Sequence, residues 1–418
     1  MQKTTEIFDF SAAKVNAADI IRLLVIAAAT GIICGVVGAV FHHAIGIASS
    51  LFAKSIYMVL LLPICGAAIT LIYRLLGIYP DPGTNAVLKS SFNGKPVSAK
   101  MAIAIFVSTI LTQLSGGSAG REGAALQLGG SLAGFIGRKI HLSPKQMRII
   151  ILCGMASLFS ALFGTPVTAA VFCLEVVCIG IIPYGALVPC LVSAFCAKWV
   201  SMAMGMVPTA WNLGVLPSAS AGIYVKIIII AVLCALVSRL FCFTAHSIHH
   251  LFGKIENPYI RVIIGSAVII ALTLLMGTSR YNGAGMGAVD EAILLGTATY
   301  LSFIIKIIFT SVTLACGFKG GEIVPCFFVG ATFGCVLGVL LGINPGFAAA
   351  IGMVCVFCGV VNSPLASIAL AVEAFGGGIL MFIALPVGIC YMLSGKCSLY
   401  ATQILPESKT YIEIREEL

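Results

Sequence analysis

Gly116-Gly117-Ser118-Ala119-Gly120-Arg121-Glu122-Gly123-Ala124-Ala125-Leu126-Gln127-Leu128-Gly129-Gly130 decides how this chain is read. Apolar segments flank it, Met101 to Leu114 before and Leu126 to Ile136 after, so hydropathy sets it at membrane depth. A carboxylate on a membrane-spanning helix costs roughly 2.5–3.5 kcal/mol on insertion scales. Glycines on both sides of Glu122 predict an unwound, approachable backbone, which is tolerated at that depth only inside protein or along a water-filled cavity. The apolar run that follows predicts a helix whose free N–H groups and positive dipole end point back at the loop. Glu122 is thus an acid placed at an anion site, where an anion and a proton can exchange.

The rest of the chain fits a polytopic membrane protein. Of its 418 residues, 60% are hydrophobic and 9% charged, against about 25% charged in an average soluble domain. Apolar stretches separated by short Gly, Pro or Lys/Arg breaks predict tilted helices rather than a barrel. The net charge of +9 reflects basic residues in short loops (Arg138, Lys139, Lys145, Arg148; Lys254, Arg261), the positive-inside bias. No basic run with interleaved aromatics points to nucleic acid. The sixteen cysteines fall inside apolar runs, and the single CxxC, Cys355 to Cys358, reads as packing. His42-His43 and His249-His250 read as helix-end or interface residues, so no metal or other cofactor is expected. The N-terminal stretch, with Glu6, Asp9 and Asp19, is no signal peptide and reads as an interfacial amphipathic segment.

In order, spans are predicted over Asp19 to Phe52, Ser55 to Leu76, Met101 to Leu114, Gln127 to Ile140 and Gln146 to Phe163. A half-length segment follows from Pro166 to Glu175, then an apolar run from Ile179 to Met206 and an exposed loop from Val207 to Ser220. The second half repeats the plan: Ile223 to Phe243, Val262 to Met276, a glycine-rich break at Tyr281 to Gly287, Leu301 to Ala315, a second loop Gly317-Phe318-Lys319-Gly320-Gly321-Glu322-Ile323-Val324-Pro325 with its apolar run to Leu341, Phe347 to Val361, Pro364 to Glu373, and Ile379 to Leu393. Thr165-Pro166 through Glu175 aligns with Ser363-Pro364 through Glu373. Two copies with interrupted short segments predict a transport site at the repeat interface. The copies are expected at about 20–215 and 220–405. Glu122, Glu175, Glu322 and Glu373 are the carboxylates inside apolar segments. Glu175 and Glu373, at the ends of short helices, read as structural; Glu122 and Glu322, each between a glycine loop and a helix, read as functional.

From about residue 20 to 405 the chain resembles the CLC family of anion channels and anion/proton antiporters. Gly120-Arg121-Glu122-Gly123-Ala124 is similar to the family's G-R/K-E-G-P motif and Gly321-Glu322-Ile323-Val324-Pro325 to its G-x-F-x-P motif. Gly83-Thr84-Asn85 stands where the family has G-S-G-I-P, and Tyr400 where it has a late tyrosine. The resemblance implies an all-α fold of two inverted-topology repeats with broken, tilted and half-length helices, and a homodimer with one pore per subunit. It implies that Glu122 gates the path and carries the proton. It also implies an anion held by the N–H groups of Glu322 and Ile323 and the hydroxyls of Thr84 and Tyr400, with Gly83, Asn85, Gly120, Arg121 and Gly123 around them.

Ala124 in place of proline, Asn85 after Thr84 and the acid Glu322 resemble the fluoride/proton antiporter branch, CLC-F. Thr84 departs from the methionine or asparagine of that branch, and Val176 stands where chloride antiporters have an inner proton glutamate. The expectation is a fluoride/proton antiporter exporting fluoride, with a chloride channel or chloride/proton antiporter as the alternative. Its partners would be fluoride or chloride, protons, membrane lipid and a second copy. A prokaryotic plasma membrane, cytoplasmic termini and no CBS domains are expected. An intramembrane enzyme is disfavoured, because the sequence has no H-E-x-x-H, G-x-G-D or Ser/His arrangement.

Overall fold

The computed structural model describes residues 17–79, 81, 83–400, 402, 403 and 409. The expected N-terminal interfacial segment lies largely outside the described residues. The first half comprises α1 (Ala17–Phe52), a 3-10 turn (Ile56–Leu61) entering α2 (Leu62–Leu75), α3 (Gly83–Asn93), α4 (Lys100–Leu114), α5 (Glu122–Lys139), α6 (Pro144–Phe163), α7 (Pro166–Glu175) and α8 (Leu187–Ala203). The second comprises α9 (Ala221–Gly253), α10 (Pro258–Met276), α11 (Met286–Asp290) with a π turn (Glu291–Leu295), α12 (Ser302–Cys316), α13 (Ile323–Leu341), α14 (Pro345–Val361), α15 (Pro364–Phe375) and α16 (Leu380–Leu393). Among the described residues, seven helical segments are long and apolar enough to cross a membrane.

Helices meet without hydrocarbon between them. A Cβ on Gly129 of α5 would stand 2.1 Å from the Gly154 carbonyl oxygen of α6, and one on Gly330 of α13 would stand 2.4 Å from that of Gly352 of α14. Small residues that let backbones touch are what holds helices together in lipid, where the hydrophobic effect offers little. Buried hydroxyls turn inward as well: those of Thr30, Thr112, Thr313 and Thr332 donate to the carbonyl four residues earlier, which spares these four donors the cost of standing bare at membrane depth.

The two half-length helices cap each other. Glu175 at the end of α7 accepts the N–H groups of Leu365 and Ala366 at 3.1 and 2.8 Å. Glu373 on α15 accepts those of Val167 and Thr168 at 3.1 and 2.8 Å and the Thr168 hydroxyl at 2.7 Å. Each carboxylate satisfies orphan donors of the other helix and faces its positive end.

Some segments differ from expectation. The run from Ile179 to Met206 is not one helix: α7 and α8 are separated by a loop turning at Gly180 (φ +83°) and Pro183, which hydropathy cannot register because the loop is as apolar as its neighbours. Helix α5 begins at Glu122, five residues before the expected start at Gln127. Helix α9 continues past Phe243 to Gly253. The 207–220 loop is only partly exposed. Trp211 is buried, its N–H bonded to the Ala374 carbonyl and its indole N–H to Asp290 at 2.7 Å. Cys355 and Cys358 are buried within α14, and His42 and His43 bridge α1 to Arg121 and to the Met204 carbonyl.

Candidate anion and proton site

Two glycine loops, one from each half, lie backbone to backbone. Gly120 donates to the Gly321 carbonyl at 2.6 Å and Gly321 returns the bond at 3.0 Å. The contact needs glycine: a Cβ on Gly321 would sit 2.4 Å from the Gly123 nitrogen, and one on Gly123 2.9 Å from the Gly320 oxygen. Side chains from both halves hold the loops in place. Gln113 donates to the Ala119 carbonyl at 2.6 Å, Asn282 to that of Gly116 at 2.9 Å, and Ser118 takes its partners from Thr310 and Thr313. Loops this well fixed aim the starts of α5 and α13 at each other.

Glu122 is fully buried at that junction. Its Oε2 accepts the Val324 N–H in the first turn of α13 at 3.2 Å. The N–H groups of Arg121 and of Glu122 itself also face the carboxylate, while Oε1 has no partner. An unwound segment ending in a helix N-terminus is a site for a small anion, and here the carboxylate oxygen fills it.

Glu322 caps the same helix but turns away. Its side chain is partly exposed and lines a cavity of about 90 Å³ with His246, His249, Thr310 and Ser311. A separate vestibule of about 820 Å³ has Arg121 and Val324 in its lining. Glu122 thus adjoins two vestibule residues, Arg121 in sequence and Val324 by its hydrogen bond, and the two glutamates feel each other's charge.

The other expected residues divide. Gly83 starts α3, and its N–H is capped by Asp81 at 2.9 Å. The second Asp81 oxygen pairs with Lys319 of the second glycine loop at 2.6 Å, which ties the start of α3 to that loop. The Thr84 hydroxyl accepts from Gln127 at 3.0 Å and lies 3.5 Å from the Gly123 carbonyl. Tyr400 is buried with its hydroxyl unpartnered, in the electrostatic neighbourhood of Glu322 and Glu122. Ile323 is fully buried at the first position of α13. Asn85 reaches across to the late segment: its Oδ1 accepts the Thr402 N–H and hydroxyl at 3.2 and 2.9 Å, anchoring the segment that carries Tyr400. The Arg121 guanidinium reaches His42 at 3.1 Å and the Leu162 carbonyl at 3.2 Å and stacks over Phe163, so it charges the vestibule floor.

Two residues escaped the sequence reading. Gln127 is one, recognisable only as an amide shortly after Glu122. The other is Lys306, fully buried in α12, which donates to the Tyr281 and Gly283 carbonyls at 3.1 and 2.8 Å and holds the glycine-rich wall of the vestibule. A lysine inside the apolar run from Leu301 to Ala315 was the available signal.

Fold and site together define a helical membrane protein with paired helix N-termini converging on one buried carboxylate. Residues 82–395 match the voltage-gated chloride channel family, and the chain belongs to it. A relative from Pseudomonas syringae pv. tomato, a chloride/fluoride channel protein, is 31% identical over 407 residues, covering 96% of this chain and 90% of the relative. The crystal structure of a CLC-type fluoride/proton antiporter superposes with a TM-score of 0.90 at 28% identity, over 94% of this chain and all of the other. A slow cyanobacterial Cl⁻/H⁺ antiporter shares the fold, with a TM-score of 0.75 at 18% identity over 89% of this chain and 94% of the other.

Proposed function

We propose that this CLC-family halide transporter is a fluoride/proton antiporter that exports fluoride against inward proton movement. The observation that carries the reading is the Glu122 carboxylate on the Val324 N–H, with a second acid, Glu322, at the N-cap position of the same helix. An anionic Glu122 competes with a desolvated halide for the α13 N-terminus. Once protonated it loses that attraction, yields the N–H groups and takes its proton with it. Fluoride is small and strongly hydrated, so it needs strong donors to replace its water. Backbone N–H groups of the first turn of α13, the unpartnered Tyr400 hydroxyl and the Thr84 hydroxyl can supply them. Glu322 near Glu122 supports proton coupling, because like charges close together favour keeping one group protonated.

The rest of the proposal follows from chemistry and family. Gly83, Gly120 and Gly123 give the backbone room to approach, Asn85 fixes the Tyr400 segment, and Arg121 draws anions into the vestibule. Basic loops around residues 138–148 and 254–261 support a cytoplasmic side for the small cavity and both termini, in a bacterial plasma membrane. The halves at about 20–215 and 220–405 act as two inverted repeats, and two copies assemble with a pore in each. The similarity to a chloride/fluoride channel protein and to a fluoride/proton antiporter supports the choice of ion.

A chloride channel or chloride/proton antiporter is the competing reading, favoured by the Thr84 and Tyr400 hydroxyls. Liposome efflux measured with fluoride and chloride electrodes and a proton probe separates the two. The antiport reading expects fluoride to outrun chloride and to drive protons uphill. Equal rates without proton movement would overturn it.

A further inference from the structure

We propose that His246 and His249 form the proton exit from Glu322 to the cytoplasmic side; this rests on the antiport reading above. The two histidines lie three residues apart on α9, hence on one face, and both rings are exposed near the helix end. Yet both line the same cavity of about 90 Å³ as Glu322. His249 also lines a neighbouring cavity of about 220 Å³, bordered by Tyr73, Asp81, Arg261 and Lys319. The histidine rings therefore stand between the open end of α9 and the Glu322 carboxylate.

The cavity suits water. It has room for a few molecules, each needing two to four polar partners. The Ser311 hydroxyl, buried and unpartnered on its wall, offers one, and the Glu322 carboxylate offers more. A bare hydronium would meet the positive charges of Arg261 on α10 and Lys319 on the second glycine loop, both of which act on His249. Lys319 is partly neutralised by Asp81; Arg261 has no such partner among the described residues. A neutral imidazole avoids that barrier, because it takes a proton on one ring nitrogen and releases one from the other. The proton passes from a Glu322 oxygen to cavity water, from there to one imidazole nitrogen, and from the other nitrogen to cytoplasmic water. The imidazole ends neutral, as it began.

The test compares wild type with His246→Ala/His249→Ala and with His246→Gln/His249→Gln in fluoride-loaded proteoliposomes, recording fluoride and proton fluxes together. The relay expects proton flux to fall about tenfold in both variants while fluoride continues to move, so the fluoride-to-proton ratio rises. Free imidazole added to the buffer should restore the ratio in the alanine variant. A coupled wild type with equally coupled variants overturns the relay and leaves antiport standing. Loss of both fluxes in both variants without imidazole rescue also overturns it. A wild type that moves fluoride with no protons removes the antiport reading itself, and the relay with it.

Discussion

Glu175 and Glu373 each close the N-terminus of the short helix that carries the other. Their oxygens lie 2.7–3.1 Å from five donors: four backbone N–H groups and the Thr168 hydroxyl. Each glutamate offers only acceptors to donors that would otherwise stand bare in the interior. Such an arrangement engages every carboxylate oxygen in holding a helix end.

Replacing either glutamate should therefore cost stability rather than coupling. Charge-assisted hydrogen bonds are worth about 1.5–3 kcal/mol each, and part of that survives when an amide replaces the acid. Glu373→Ala is expected to lower the melting temperature in detergent clearly, and Glu373→Gln and Glu175→Gln by less. The fluoride-to-proton ratio of the folded glutamine variants should equal that of wild type. If Glu175→Gln abolishes proton movement while the protein stays folded, the capping account is wrong and Glu175 belongs to the proton path.

Gly120 and Gly321 make the same backbone bridge but should tolerate alanine differently. At Gly120 the added methyl would meet the Glu122 Oε2 at 2.1 Å, the free end of a side chain. At Gly321 it would meet the Gly123 nitrogen at 2.4 Å, which is backbone and cannot rotate away. Gly120→Ala should fold and displace the carboxylate from the Val324 N–H, so anion flux rises and proton coupling weakens. Gly321→Ala should cost at least the ~1–3 kcal/mol of an overpacked core, seen as poor recovery of folded protein. Equal stability loss in both would mean that Glu122 is not free to swing.

The contrast bears on what the sequence could reveal. Glycine beside Glu122 and Glu322 was legible because a carboxylate at membrane depth demands a reason, and the ends of α7 were legible because Pro166 starts a helix. Partners were not. Hydropathy reports depth but not direction, so it could not tell that Asn85 reaches Thr402, that Arg121 turns to α1 and α6, or that Trp211 folds the 207–220 loop over the vestibule. The late start of α8 was invisible for the same reason: Ile179, Ile181 and Ile182 are as apolar in a loop as in a helix. The reciprocal caps of Glu175 and Glu373 needed coordinates, since the alignment pairs these residues as equivalents, not as neighbours of each other's helix.

Asp81 links two motifs through two oxygens, and its substitutions can separate the links. Asp81→Asn keeps an acceptor for the Gly83 N–H and loses the charge facing Lys319; Asp81→Ala loses both. An N-cap is worth about 0.5–2 kcal/mol, whereas a partly exposed ion pair contributes about 1 kcal/mol or less. The pair is 19% and 9% exposed, so the ion-pair share should stand at the upper end. Asp81→Asn is expected to be mildly destabilised and Asp81→Ala about twice as much, by denaturation in detergent. Lys319→Met should match Asp81→Asn if the ion pair is what the two share.

Tyr400 offers the sharpest separation of stability from binding. Its hydroxyl is buried without a partner among the described residues, so removing it withdraws no hydrogen bond from them and relieves an uncompensated polar atom. Tyr400→Phe should be as stable as wild type or slightly more so. An anion in the cluster between Thr84 and the first turn of α13 would lose one donor, and a hydrogen bond to a charged group is worth about 1.5–3 kcal/mol. Halide affinity, measured by calorimetry on the purified protein, should therefore weaken by roughly tenfold or more. Thr84→Val should weaken it less, because the Thr84 hydroxyl already accepts from Gln127 and its proton is shared with the Gly123 carbonyl. If Tyr400→Phe binds fluoride as tightly as wild type, the hydroxyl does not face the anion, and the site must be completed by backbone N–H groups alone.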